Sequence, residues 1–256
     1  CIQGSEATHV ISCYLTKGKR TRDLEEDLVS ECLEALIGIA CGVSSELPKL
    51  SQNIEYEVVR PQEDWKQLID GEIEYIKSEE KVSRLIFPGT FNPLHEGHLK
   101  IKELAEEKTQ EELVFEISVS NVDKAPLSFY EIKKTIDQFS DDQQWILTNA
   151  STFQQKVKLF PKSIFVVGTD TLMRIFDEQY YQDQTTMNQA LDCFNEYDAR
   201  FIVFGREINK NFLSLEDLEI PSFVRDRFKG VKEDEFRMDI RSREIKRSEE
   251  ESRESA

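Results

Sequence analysis

The spacing of apolar positions changes near residue 80, and that change predicts two regions. Residues 9–16 read as a strand. Residues 23–42 repeat at helical spacing: Leu24, Leu28 and Cys32, with Val29, Leu33 and Leu36, form one apolar face, and Asp23 and Glu26 stand at capping-box spacing. The stretch SSELPKLSQN (44–53) has no period and reads as a loop. IEYEVVR (54–60) alternates as a half-buried strand does, and Pro61 ends it. Residues 62–77 give an amphipathic helix through Trp65, Leu68, Ile69, Ile73 and Ile76, with Gly71 as its weak point.

Beyond residue 80 the strands become short, continuous apolar runs of the kind buried on both faces of a parallel sheet. They are RLIF (84–87), residues 112–119, WIL (145–147), SIFVVG (163–168) and FIVFG (201–205). Helical spacing fills the intervals at about 97–109, 128–139, 151–158 and 170–195, the last with a break near Tyr180. This alternation from 82 to 205 implies right-handed βαβ crossovers and an open α/β sheet. The expected organisation is a small α/β region at 1–80, an α/β domain at 81–247 and a disordered tail, SEEESRESA, at 248–256.

Composition narrows the function classes. The 256 residues are 39% hydrophobic, enough for a packed core, and 32% charged with a formal net charge of -17. Such a chain is expected to be soluble and not to bind nucleic acid without regard to sequence, which needs a basic face. A polyphosphate would also be repelled by the global field, so any site for one has to be built locally from backbone N–H groups and a few cations. Five cysteines, with no CxxC and no metal-ligand spacing, suit a reducing, intracellular setting, cytoplasmic or nuclear. The longest apolar run, ALIGIACGV at 35–43, falls short of the roughly 18 residues a membrane span needs. The chain opens on Cys1 and enters a strand-like segment almost at once, which points to a fragment or a processed product.

Only three histidines are present, His9, His95 and His98, and two of them flank Gly97 between a strand and a helix. A strand–loop–helix junction gathers free N–H groups and the positive end of a helix at one point, a ready anion site. Gly89 lets the chain turn away from the strand, Gly97 removes a side chain where a nucleotide approaches the backbone, and His95 and His98 offer ring N–H donors. His9, in a strand outside this region, reads as structural.

The stretch GTFNPLHEGH (89–98) resembles the phosphate-binding motif GxFxPxHxGH of the HxGH nucleotidyltransferase superfamily. Asn92 makes it more similar to the nicotinamide/nicotinate mononucleotide adenylyltransferases than to the phosphopantetheine branch. The resemblance implies a Rossmann-like α/β fold with a parallel sheet over about 81–247, preceded by the small α/β region. It implies transfer of AMP from ATP to a mononucleotide phosphate, with Mg2+ carried on the triphosphate and small-molecule nucleotides as partners. His95 and His98 would be catalytic, and Gly89, Thr90, Phe91, Asn92 and Gly97 would line the nucleotide. Further matches follow in order. NVDK (121–124) would place Lys124 near the phosphates, FVVGTDTLMRI (165–175) supplies Gly168 and Asp170, and FIVFGR (201–206) ends on Arg206.

DIRSREIK (239–246) stands where the family carries ISSTxIR. Ser242 is retained, Lys246 keeps a charge without the guanidinium fork, and Arg241 and Arg243 replace hydroxyl donors. The two arginines either hold the triphosphate in another way or block its pocket. The alternatives are therefore transfer to another phosphate ester, such as phosphopantetheine, or a nucleotide-binding scaffold without turnover. Lys124 and Arg206 also read as solvated charges, and Asp170 as a cap for a helix starting at Thr171. Residues 1–80 more faintly resemble the end of a competence/damage-inducible amidohydrolase domain. The catalytic part of such a domain would be missing, which implies no deamidase activity.

Overall fold

The computed structural model describes residues 1–13, 21–42, 54–80, 83–121, 125–208 and 211–237. The expected loop at 44–53, Lys124, the 239–246 segment with Ser242, Arg243 and Lys246, and the 248–256 tail lie outside the described residues.

The first region is a three-stranded antiparallel sheet of β1 (Ile2–Gln3), β2 (Thr8–Cys13) and β3 (Ile54–Val59). Helix α1 (Arg22–Ala40) packs on β2. Thr21, not Asp23, is its N-cap, and no side chain caps it; Glu26 instead accepts a 2.7 Å bond from Arg22. The helix forms as its spacing indicates, but the sheet covers only the flank carrying Cys32 and Ala35. Leu24, Val29, Leu33 and Ile37 are exposed.

Helix α2 (Glu63–Asp70) is shorter than its apolar pattern implies. Gly71 adopts φ 76°, a left-handed C-cap that ends the helix. The chain then turns into β4 (Tyr75–Lys77), so Ile76 is a strand residue and not a helical one.

The main sheet has seven strands in the order β12-β9-β8-β5-β6-β7-β4. Its members are β4, β5 (Leu85–Pro88), β6 (Leu113–Ser118), β7 (Gln144–Thr148), β8 (Ile164–Gly168), β9 (Arg200–Phe204) and β12 (Phe228–Val231). All pairs are parallel except β4 with β7. The connecting helices are α3 (Glu96–Thr109), α4 (Phe129–Ile136), α5 (Phe153–Leu159), α6 (Thr169–Ile175) and α7 (Gln184–Glu196). The expected break near Tyr180 is a single 3-10 turn, Glu178–Tyr180, after which Asp183 caps α7 through the Thr186 N–H at 2.7 Å. A short hairpin of β10 (Arg206–Ile208) and β11 (Asn211–Leu213) stands outside the sheet.

Alternate residues of the central strands feed two separate cores, one on each face, which is why these strands read as unbroken apolar runs. Ile86, Val114, Phe165, Val167 and Phe201 pack with α5, α6 and α7 on one face. Leu85, Phe87, Phe115, Val166 and Ile202 pack with α2, α3 and α4 on the other. Val59, Trp65 and Leu68 join this second core, so residues on both sides of position 80 are packed together.

The order of strands creates the site. From β5 the chain builds outward through β6 and β7, then crosses to β8 on the other side of β5. The switch point therefore lies between β5 and β8, where open α/β sheets bind ligands beyond their strand carboxyl ends. Leu85 and Ile86 pair with Ile164 and Phe165, and the register extends no further, so the two strands part before they end.

Candidate active site

The loop leaving β5 enters this crevice. Gly89 donates its N–H to the Glu116 carbonyl at 2.9 Å. A Cβ on Gly89 would stand 2.5 Å from the ring of Phe91, so the glycine is required by that packing. Phe91 takes the left-handed φ of 41° and is 2% exposed, its ring meeting Phe87, Phe115 and Phe139 edge-on. Thr90 is exposed at the mouth and Asn92 is half-buried. Phe91 thus anchors the loop in the core, with the more exposed Thr90 and Asn92 on either side of it in the chain.

His95 is the N-cap of α3 and His98 lies three residues on, in its first turn, with Gly97 buried between them. The imidazoles stack with centroids 3.7 Å apart and planes 22° from parallel. His98 Nδ1 accepts the His95 backbone N–H at 3.3 Å, which leaves the ring proton on Nε2 as a donor. The His98 ring is also wedged edge-on against Phe87 and Phe91. His95 Nδ1 is buried with no hydrogen-bond partner among the described residues, an uncommon state for a buried polar atom.

Both rings are held neutral. Burial, then the neighbouring His95 and Arg206, push His98 down to about 3. Burial and Arg206 lower His95 in the same direction. A donor pair that carries no charge of its own leaves the incoming anion and its counterions to set the local charge. A polyphosphate arriving beside the rings favours their protonation, opposing the effect of burial.

Gly168 and Asp170 lie across the crevice at the end of β8, and Arg206 follows β9. The helix they open starts at Thr169 with Gly168 as N-cap, and no side chain caps it. Asp170 is therefore not the cap that its position suggested. Its Oδ2 accepts from Arg206 at 2.9 Å instead. The structure thus gathers His95, His98, Gly168, Asp170 and Arg206 around one switch point. Of these residues Asp170 also lines an open cavity of about 490 Å³, together with Met173, Phe176, Ile208 and Leu218. Among the described residues no group of three or more His, Cys, Asp or Glu side chains could hold a metal. Among them, too, no helix is long and apolar enough to cross a membrane.

Two features escaped the sequence reading. Gln138, expected inside a helix, follows the end of α4 and bonds to the loop at Phe91 and Leu94. Glu116 of β6 and Lys156 of α5 form a buried pair at 2.7 and 2.8 Å. Lys156 also donates to the Ala150 carbonyl at 2.8 Å, and Thr148 donates to Glu116. This network ties the carboxyl ends of β6 and β7 together.

A sequence profile of the cytidylyltransferase-like family matches residues 86–248, well over half of the chain, from β5 through the segment beyond β12. Among curated proteins and among solved structures nothing matches the chain. The matched span holds the HxGH loop, the Gly168–Asp170 turn and Arg206, and the general chemistry of the family is nucleotidyl transfer; the chain belongs to the cytidylyltransferase-like family.

Proposed function

We propose that this chain transfers the adenylyl group of ATP to the phosphate of a mononucleotide, with nicotinate or nicotinamide mononucleotide as acceptor. The products are pyrophosphate and a dinucleotide of the NAD family. The observation that carries this reading is the stacked His95–His98 pair at the amino end of α3, with Arg206 near enough for its charge to lower the proton affinity of both rings. The choice of acceptor rests on Asn92 in the GTFNPLHEGH stretch.

The chemistry needs no covalent enzyme intermediate. An acceptor phosphate oxygen attacks the α-phosphorus in line, the bond to the bridging oxygen breaks, and pyrophosphate leaves with the electron pair. Mg2+ enters as part of the nucleotide substrate. His98 Nε2–H donates to the phosphate oxygens as charge develops, and His95 and the free N–H groups of the first α3 turn act beside it. Arg206, held by Asp170, adds a fixed cation, while Lys124 and the Ser242, Arg243 and Lys246 segment complete the triphosphate contacts. Because most of the work is positioning, the stiffness of the loop matters as much as its donors. The protein works in the cytoplasm on this reading, among free mononucleotides.

Calorimetric titration with ATP and with CTP, beside pyrophosphate release over nicotinate mononucleotide, nicotinamide mononucleotide and phosphopantetheine, tests the proposal. ATP-dependent release with a pyridine mononucleotide supports it. Release only with phosphopantetheine or only from CTP replaces the substrate, and binding without release replaces the enzyme with a scaffold.

A further inference from the structure

We propose that Gln138 is a positioning residue of this site, an amide clamp that sets the loop presenting His95 and His98. The inference rests on the adenylyl-transfer reading for its consequence, but on geometry alone for the clamp. Gln138 Nε2 donates to the Phe91 carbonyl at 2.9 Å, and its Oε1 accepts the Leu94 N–H at 2.8 Å. One side chain thus spans the loop from its left-handed residue to the residue before His95. The same nitrogen donates to the Thr135 carbonyl at 3.3 Å, which aims the amide back along its own helix. Three of the four hydrogen-bonding positions of the amide are therefore committed, two to the loop and one to α4.

The next residue works with it. Phe139 packs on Phe91 and Phe115, so adjacent side chains hold the loop by its backbone and by its buried ring. The far end of the helix is fixed as well. Ser128 and Glu131 form a reciprocal cap, with Glu131 Oε2 accepting the Ser128 N–H at 2.8 Å. Gln3 of β1 accepts the Phe129 N–H at 2.9 Å, and α4 packs on β2 and β3. The clamp is therefore mounted on a helix pinned at both ends, which is what a positioning group requires.

A short irregular loop has few ways to satisfy its own backbone, and without the amide Phe91 and Leu94 turn to water. The loop then samples positions in which the imidazoles no longer meet the transferring phosphate together. A displacement of about 1 Å at such a site costs up to about 100-fold in rate. Glutamate at this position keeps the acceptor for Leu94 but sets a carboxylate oxygen against the Phe91 carbonyl, so half of the clamp becomes a repulsion.

The test compares the full chain with Gln138→Ala and Gln138→Glu by amide hydrogen exchange, melting and pyrophosphate release. Expected for Gln138→Ala is exchange over residues 91–95 faster by about 10- to 100-fold, with β6 unchanged. Turnover falls by about 10- to 100-fold, with KM for ATP within about threefold of wild type. Gln138→Glu shows the same pattern, and neither lesion follows the melting temperature. Unchanged exchange at 91–95 overturns the clamp, as does faster exchange spread equally over β6. Faster exchange with unaltered kcat overturns the positioning role. If the wild-type chain releases no pyrophosphate while exchange at 91–95 responds as expected, the clamp stands and the transferase reading falls.

Discussion

His98 makes the protein sensitive to mild acid, and the size of the effect can be worked out. Burial of its ring, which is wedged against Phe87 and Phe91, and then the neighbouring His95 and Arg206 push it from 6.5 down to about 3. In the unfolded chain the same imidazole takes up a proton near its ordinary value of 6.5. The folded-state value is the depressed one, so the unfolded chain binds the extra proton. Stability is full above pH 6.5 and is lost progressively as pH falls towards 3. Each unit within that window is worth about 1.4 kcal/mol, so moving from pH 7 to pH 5 removes about 2 kcal/mol through this residue alone. At roughly 2–4 °C per kcal/mol for a protein of this size, the melting temperature falls by about 4–8 °C from His98. Carboxylates add their own acid loss, so the comparison is with His98→Gln. That side chain does not titrate, and its amide oxygen can still accept the His95 N–H. Calorimetric melts of both proteins at pH 7, 6 and 5 should show the wild-type curve steeper by about 2 kcal/mol over the interval. Parallel curves would refute the reasoning, because they would mean that folding leaves the affinity of His98 for a proton unchanged.

Other expectations follow from the same geometry. Lys156→Met leaves the Glu116 carboxylate buried with Thr148 alone, and should cost about 3–5 kcal/mol in urea unfolding, with most of the loss recovered when Glu116→Leu is added. Arg206→Ala breaks a half-exposed pair and should alter stability by less than about 1 kcal/mol. It should nonetheless weaken ATP binding by at least about tenfold in calorimetry and raise the pH at which His98 titrates, since its cation is among the causes holding that value down. The pair Arg241→Ala and Arg243→Ala should also weaken ATP binding more than about tenfold if these cations replace the missing hydroxyl donors; tighter binding would mean that they block the pocket.

The parts of this fold that were legible in the sequence are those whose cause is local. The two-faced strands around Ile86, Val114, Phe165 and Ile202 read as apolar runs because both faces are covered by helices. The HxGH loop was legible because its glycines and histidines are adjacent along the chain. The apolar spacing of α1 announced a helix, but not that its sheet is narrow enough to leave Leu33 and Ile37 exposed. β4 was hidden because Ile73 and Ile76 continue the helical spacing past Gly71, and only the left-handed turn there shows that the helix has stopped. β12 was missed because FKGV carries too few apolar positions to signal a strand, and pairing with β9 is what makes it one. Nothing local distinguishes Gln138 from other polar residues near the end of α4; its partners in the loop, Phe91 and Leu94, lie more than forty positions away. Glu116, inside an otherwise apolar run, was a visible anomaly, but Lys156 as its buried partner is a tertiary fact.

The central claim is tested most directly by incubating the full chain with magnesium, ATP and either nicotinate or nicotinamide mononucleotide, and following the products by mass spectrometry. The account predicts a dinucleotide and pyrophosphate in equal amounts, with the rate lowered about 10²–10³-fold in His98→Gln, whose folding is checked at pH 7. ATP bound but no dinucleotide formed with either mononucleotide, or dinucleotide formed as fast by His98→Gln as by the wild-type chain, would contradict it.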